Sequence, residues 1–115
     1  MAIVIYHNPR CSKSRQTLAL LEANDVAPKI VQYLDESPSK STLKSIAKKL
    51  QLQSAREMMR RGEVVYKDLS LGNEQDEEAL FDAMVSNPIL IERPIVVNGD
   101  KAAIGRPPEA VLEIL

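Results

Sequence analysis

The chain has 115 residues, 44% of them hydrophobic and 27% charged, the size and apolar content of one compact domain with its own core. A formal net charge of −1 gives no global electrostatic ground for a nucleic-acid or anionic-membrane partner, so any basic site must be local. The apolar run at residues 2–6 is too short for a signal-peptide core and lacks a basic leader, no stretch is long enough to span a bilayer, and one cysteine makes no internal disulfide, so we expect a single cytoplasmic domain over residues 1–115.

Ile3-Val4-Ile5-Tyr6 is a continuous β-branched and aromatic run, the pattern of a strand buried on both faces, and Asn8-Pro9 breaks it. A helix is predicted from about Cys11 to Ala23, with Leu18, Leu21 and Glu22 on adjoining positions and Asn24-Asp25 as its stop. A second strand follows at Lys29–Tyr33, and this βαβ start implies parallel strands. Ser37-Pro38-Ser39 opens the next helix, where Leu43, Ile46, Ala47 and Leu50 recur at the spacing of one buried face. Ser54 and Glu57 fit a capping box, which places Ala55 to Arg61 on a short helix ended by Gly62. Residues 64–73 carry no assignable period. From Asp76, Leu80, Ala83 and Met84 form another helical stripe that Asn87-Pro88 ends. Ile95-Val96-Val97 then runs into Asn98-Gly99, a strong hairpin signal, and returns through Ala102-Ala103-Ile104 as an antiparallel strand. Pro107 and Pro108 sit where a last helix begins, with Val111, Leu112 and Leu115 as its apolar face. The order is β-α-β, a helical insertion over about residues 37–88, then β-β-α: an α/β fold.

Cys11 sits in His7-Asn8-Pro9-Arg10-Cys11-Ser12-Lys13-Ser14-Arg15, between the first strand and the first helix. A thiol there faces unpaired backbone N–H groups and the positive end of the helix dipole, and Arg10, Lys13 and Arg15 add charge nearby. Such surroundings lower a thiol pKa towards roughly 3.5–7.5 from about 8.5 for a free thiol, and they hold anions. A buried apolar cysteine is the plainer alternative, but cations on both sides and a loop leading in argue against it. Ser14 stands where a Cys-x-x-Cys motif places its second sulfur, so an intramolecular disulfide is unavailable. His7, the sole histidine, either joins a hydrogen-bond network that favours the thiolate or packs at the strand end. Asn8 braces the loop through backbone bonds. Ser14 and Thr17 are placed either to hydrogen-bond the sulfur or merely to cap the helix. One Cys and one His make no recognisable metal-ligand set, and the methionines read as core filler.

His7-Asn8-Pro9-Arg10-Cys11, Ser14-Arg15-Gln16-Thr17-Leu18, Tyr33-Leu34, Arg93-Pro94-Ile95-Val96-Val97 and Gly105-Arg106-Pro107 occur in an order and at spacings that resemble the glutaredoxin-coupled arsenate reductases. That resemblance covers nearly the whole chain. It implies a thioredoxin-like fold with a helical insertion, a mixed four-stranded sheet flanked by helices, and a cis proline at Pro94 opening the strand that faces the thiol. It further implies that Cys11 attacks arsenate while Arg60, Arg93 and Arg106 hold the oxyanion, with Arg61 as the adjacent alternative to Arg60. His7, Asn8, Ser14 and Pro94 are the supporting residues.

Arginine forks match a tetrahedral oxyanion and keep their charge at any working pH. Arsenate reduction takes two electrons, and one thiol going to half a disulfide supplies one, so Cys11 needs an external thiol. The resemblance implies glutathione as cosubstrate and glutaredoxin as the protein that reduces the mixed disulfide, with no tightly bound cofactor. Two other readings stay open: a glutathione-dependent thiol reductase whose arginines bind glutathione carboxylates, and a non-enzymatic regulator of the same fold that binds RNA polymerase. Ser14 argues against the Cys-x-x-Cys redox switch typical of that second group.

Overall fold

The computed structural model describes residues 2–115. They divide into two compact units, one formed by the chain through Glu36 together with Arg93–Leu115, the other by Ser37–Glu92.

In the first unit, β1 (Ile3–Tyr6), β2 (Lys29–Val31), β3 (Ile95–Asn98) and β4 (Lys101–Ile104) form a mixed sheet in the order β2-β1-β3-β4. β1 and β2 are parallel, the other pairs antiparallel. Cross-strand register puts Ile5 opposite Val96 and Val96 opposite Ala103. With Ile3 they form one apolar face. Helix α1 (Ser12–Ala23) and a closing 3-10 helix (Pro108–Ile114) cover that face with Leu18, Leu21, Val111 and Ile114. Ile5, Leu21, Val96 and Val111 are fully buried, each contributing on the order of 1.5–3 kcal/mol by leaving water. This is the thioredoxin-like arrangement.

Several local expectations change. Only Ile5 of β1 is fully buried, its neighbours being half-buried, so the strand is not enclosed throughout. β2 ends at Val31 because the Gln32 carbonyl accepts the N–H groups of Asp35 and Glu36 and turns the chain, leaving Tyr33 outside the strand. α1 stops as expected at Asn24-Asp25. Asp25 takes φ 62°, its N–H bonds the Glu22 carbonyl, and the Val26 N–H returns to Leu21. The hairpin's central pair is Gly99-Asp100, since Asn98 pairs with Lys101, and Gly99 supplies the positive φ of 63°. The last helix is 3-10, so residues three apart share a face: Pro108, Val111 and Ile114 turn inward, while Leu112 and Leu115 are exposed.

The second unit is helical. α2 (Lys40–Lys49) is capped by Ser39 Oγ, which accepts the Thr42 N–H, and it buries Leu43, Ile46 and Ala47. It packs on α4 (Glu77–Ser86), which is capped by Asp76 and buries Leu80, Phe81, Ala83 and Met84. The Ser54/Glu57 capping box forms, but the turn it starts is a 3-10 segment ending at Met58 rather than a helix to Arg61. Met59 leaves it in extended conformation and bridges Ile91, with Arg60 N–H donating to Leu90 and Glu92 N–H to Met58, so Gly62 terminates nothing. The unassigned stretch holds α3 (Val64–Asp68) and a 3-10 turn (Leu71–Asn73). Its tether is the Arg56 guanidinium, which donates to Tyr66 Oη and to the Leu71 and Glu74 carbonyls.

At Gly105 three segments of the first unit meet. A Cβ there would stand 2.5 Å from Thr17 Oγ1 and 2.8 Å from Pro94 Cγ. Gly105→Ala is expected to cost about 1–3 kcal/mol in urea unfolding, the usual scale of overpacking. Gly62, with nothing within 4 Å of its Cβ position, tolerates the same change.

Candidate active site

Sheet register assembles the site. Tyr6 pairs with Ile95 and Ile95 with Ile104, so the residues just beyond those pairs, His7, Pro94 and Gly105, emerge side by side at one end of the sheet. The thiol loop follows His7, Arg93 precedes Pro94, and Arg106 follows Gly105. Both the Arg93–Pro94 and the Arg106–Pro107 peptide bonds are cis. The Gly105 N–H donates to the Pro94 carbonyl at 2.9 Å, and Arg106 Nε donates to the Arg93 carbonyl at 2.8 Å.

Cys11 is the N-cap residue of α1, with φ −94° and ψ 124°, and its carbonyl accepts the Arg15 N–H at 3.0 Å. Its sulfur lies towards the N–H groups of Lys13 and Ser14, too loosely for a regular capping bond but close enough to feel them electrostatically. Partial burial pushes the thiol pKa up. The Ser14 N–H, the Arg93 side chain, the Lys13 N–H and the Arg93 charge outweigh burial, so the pKa lies below its ordinary value. An Arg106 terminal nitrogen approaches Sγ at 3.6 Å. One thiolate therefore faces two guanidinium groups and a helix N-terminus, more positive charge than it neutralises, and the surplus suits an anionic substrate.

The side chains of His7, Asn8 and Ser14 hold the loop rather than the sulfur. Ser14, fully buried, accepts the Asn8 N–H at 3.0 Å through Oγ and shares a 2.6 Å hydrogen bond with His7 Nδ1. His7 is buried at the end of β1 and joins a hydrogen bond with Ser14, and no contact links it to the sulfur among the described residues. Burial and the Arg15 charge lower its pKa, so it is neutral near pH 7. The Asn8 side chain accepts the Arg10 N–H at 3.0 Å, and the Asn8 carbonyl accepts the Cys11 N–H at 3.0 Å. Thr17 Oγ1 donates to the Lys13 carbonyl at 2.8 Å, so neither hydroxyl bonds the sulfur, and the contact from Ser14 comes from its backbone.

Arg60 lies in the helical unit, where its guanidinium pairs with Glu63 at 3.3 Å and Glu92 at 3.2 Å. Arg61 beside it is exposed. Two residues of the first unit take structural roles that the sequence reading did not assign: Arg15, expected only to add charge, and Gly105. Arg15 donates to the Pro9 carbonyl at 2.9 Å and straps the loop to the helix, and Gly105 admits Thr17 and Pro94 at close range. The glycine beside Arg106 was visible as a signal, but its crowding was not. Among the described residues, no cluster of three or more His, Cys, Asp or Glu side chains could hold a metal ion, and no helix is long and apolar enough to cross a membrane.

Two pH effects follow. The rate of Cys11 alkylation by iodoacetamide is expected to rise with a midpoint below that of a free thiol, about 8.5, and Arg93→Met to move the midpoint upward. The unfolded chain protonates His7 near pH 6.5 while the folded one resists, so stability falls as pH drops through about 6.5 and levels off once the lowered folded pKa is passed. In urea titrations across that range, His7→Gln flattens the slope.

The profile of the ArsC family matches residues 6–114. An arsenate reductase of Haemophilus influenzae is 55% identical over 116 residues, covering 100% of both chains, and one of Neisseria meningitidis serogroup A is 51% identical over 98% of this chain and 97% of its own. The solved arsenate reductase from Vibrio cholerae superimposes with a TM-score of 0.97 at 56% identity, over 100% of this chain and 98% of that one. With matches of this extent in both sequence and structure, the chain belongs to the ArsC family.

Proposed function

We propose that the chain reduces arsenate to arsenite through Cys11, with glutathione as the second thiol and glutaredoxin restoring the enzyme. The observation that carries this reading is the lone thiol of lowered pKa set against Arg93 and Arg106, the latter at 3.6 Å, in a relative of named arsenate reductases. The Cys11 thiolate attacks arsenic, an oxygen leaves as water with two protons, and an arsenic–sulfur bond forms. Arg93 and Arg106 offset the charge that would otherwise keep two anions apart and stabilise the negative charge that develops. Glutathione then supplies the other thiol. The two sulfurs end as a mixed disulfide, two electrons pass to arsenic, and arsenite departs. A further thiol, from glutaredoxin and its glutathione pool, returns Cys11 to the reduced state.

Ser14 fits this scheme. Its hydroxyl is committed to His7 and Asn8 where a resolving cysteine would otherwise sit, so the disulfide must be intermolecular. The reaction then belongs in the cytoplasm, where the glutathione pool is reducing. The assignment of Arg60 to the oxyanion rests on the family resemblance.

In an assay coupled to glutathione and glutaredoxin, Cys11→Ser is expected to abolish arsenite production. Arg106→Lys removes a planar fork and is expected to lower kcat/KM for arsenate by about 10–100-fold, the scale of one or two charge-assisted hydrogen bonds. Wild-type protein that yields no arsenite with both cosubstrates present refutes the reading.

A further inference from the structure

A second polar feature lies beside the thiol loop and has no part in holding the oxyanion. Within the first unit, a cavity of about 240 Å³ is walled by Pro9 and Leu34 and bordered by His7, Arg10, Gln32 and Asp35. Its walls are braced. The His7 N–H bonds the Val31 carbonyl at 2.9 Å, and the Gln32 carbonyl holds the turn that carries Asp35. Arg10 and Asp35 are exposed, carry opposite charges, and form no ion pair with each other or with any other described residue. Two uncommitted opposite charges across one small cavity match a ligand that itself carries an ammonium and a carboxylate a short distance apart, as the α-carbon of an amino acid does. The volume lies just under that of sites for drug-sized ligands, roughly 300–1,000 Å³, and so suits one end of a tripeptide.

The cavity borders the loop that carries the thiol. Arg10 directly precedes Cys11, and the Asn8 carbonyl accepts the Cys11 N–H at 3.0 Å, so the loop folds back on itself there. A γ-glutamyl arm is about as long as two residues, roughly 7 Å when extended.

We propose that this cavity seats the zwitterionic γ-glutamyl end of glutathione, with Arg10 taking the α-carboxylate and Asp35 the α-ammonium, so that the glutathione sulfur is delivered to Cys11. The proposal rests on the preceding reading for the identity of the thiol, but its chemistry can be followed without arsenate. In thiol–disulfide exchange, the Cys11 thiolate attacks one sulfur of glutathione disulfide, the sulfur–sulfur bond breaks, Cys11 is glutathionylated and one glutathione thiolate leaves.

The experiment measures that exchange by mass spectrometry in the full-length protein, with three disulfides: glutathione disulfide, its analogue lacking the α-amino groups, and uncharged hydroxyethyl disulfide. The quantity read is the rate with each charged disulfide divided by the rate with hydroxyethyl disulfide in the same variant, which cancels changes in thiolate reactivity. Asp35→Asn is expected to lower that ratio about tenfold for glutathione disulfide and to leave it unchanged for the desamino analogue. Arg10→Gln is expected to lower both. Net charge alone predicts the reverse for Asp35→Asn, since removing an anion speeds the approach of an anionic disulfide. A ratio that rises or stays level in Asp35→Asn, or that falls equally with the desamino analogue, overturns the proposal. Selective exchange in a protein that produces no arsenite overturns the arsenate reading and leaves this one standing.

Discussion

The site depends on a contest over one sulfur atom. Burial favours the neutral thiol, and the backbone N–H groups of Ser14 and Lys13 together with Arg93 favour the thiolate. The second set wins, but its members come from chain segments far apart in sequence. Without the Arg93 side chain, only the local N–H groups of Ser14 and Lys13 oppose the cost of burial in setting the thiol's pKa.

The meeting of these segments follows from strand pairing. An antiparallel register of β1, β3 and β4 places His7, Pro94 and Gly105 at one end of the sheet, and a single-residue slip would send each following side chain to the opposite face. The apolar face formed by Ile5, Val96 and Ala103 under Leu21 and Val111 resists such a slip. The hydrophobic core and the charged site are thus set by one register. Polar groups in the loop are then satisfied locally. Ser14 Oγ serves both His7 and Asn8, and keeping His7 neutral leaves the positive charge near the sulfur to the arginines.

A single cysteine with a committed serine three residues on makes the redox chemistry intermolecular. The consequence is structural as well as chemical: an outside thiol must reach Cys11 by a path the fold leaves open. The cavity between Arg10 and Asp35 lies on the β2 side of the thiol loop, and the arginine-bearing segments come from β3 and β4. Under the two proposals above, oxyanion and thiol donor approach the sulfur from different sides of the sheet end and use different cations.

Local pattern was enough to read much of this molecule. The β-branched run of β1, the Ser39 and Asp76 caps, the Asn24-Asp25 stop and the strand pair around Gly99 are written in neighbouring residues, because propensity, capping and periodicity act over a few positions. Cys11 at a strand-to-helix turn was legible for the same reason. Other features turn on which of several possible contacts the folded chain makes. Met59 abandons its helix to bridge Ile91, the Gln32 turn shortens β2, and the three-residue period of Pro108, Val111 and Ile114 reassigns the last apolar face. Ser14 presents its backbone, not its hydroxyl, to the sulfur because His7 and Asn8 claim the hydroxyl. The chain alone determined which chemistry the loop could hold. Only tertiary structure decided which charges face the thiol, because distances between residues remote in sequence are set by strand register and close packing, which no local pattern encodes.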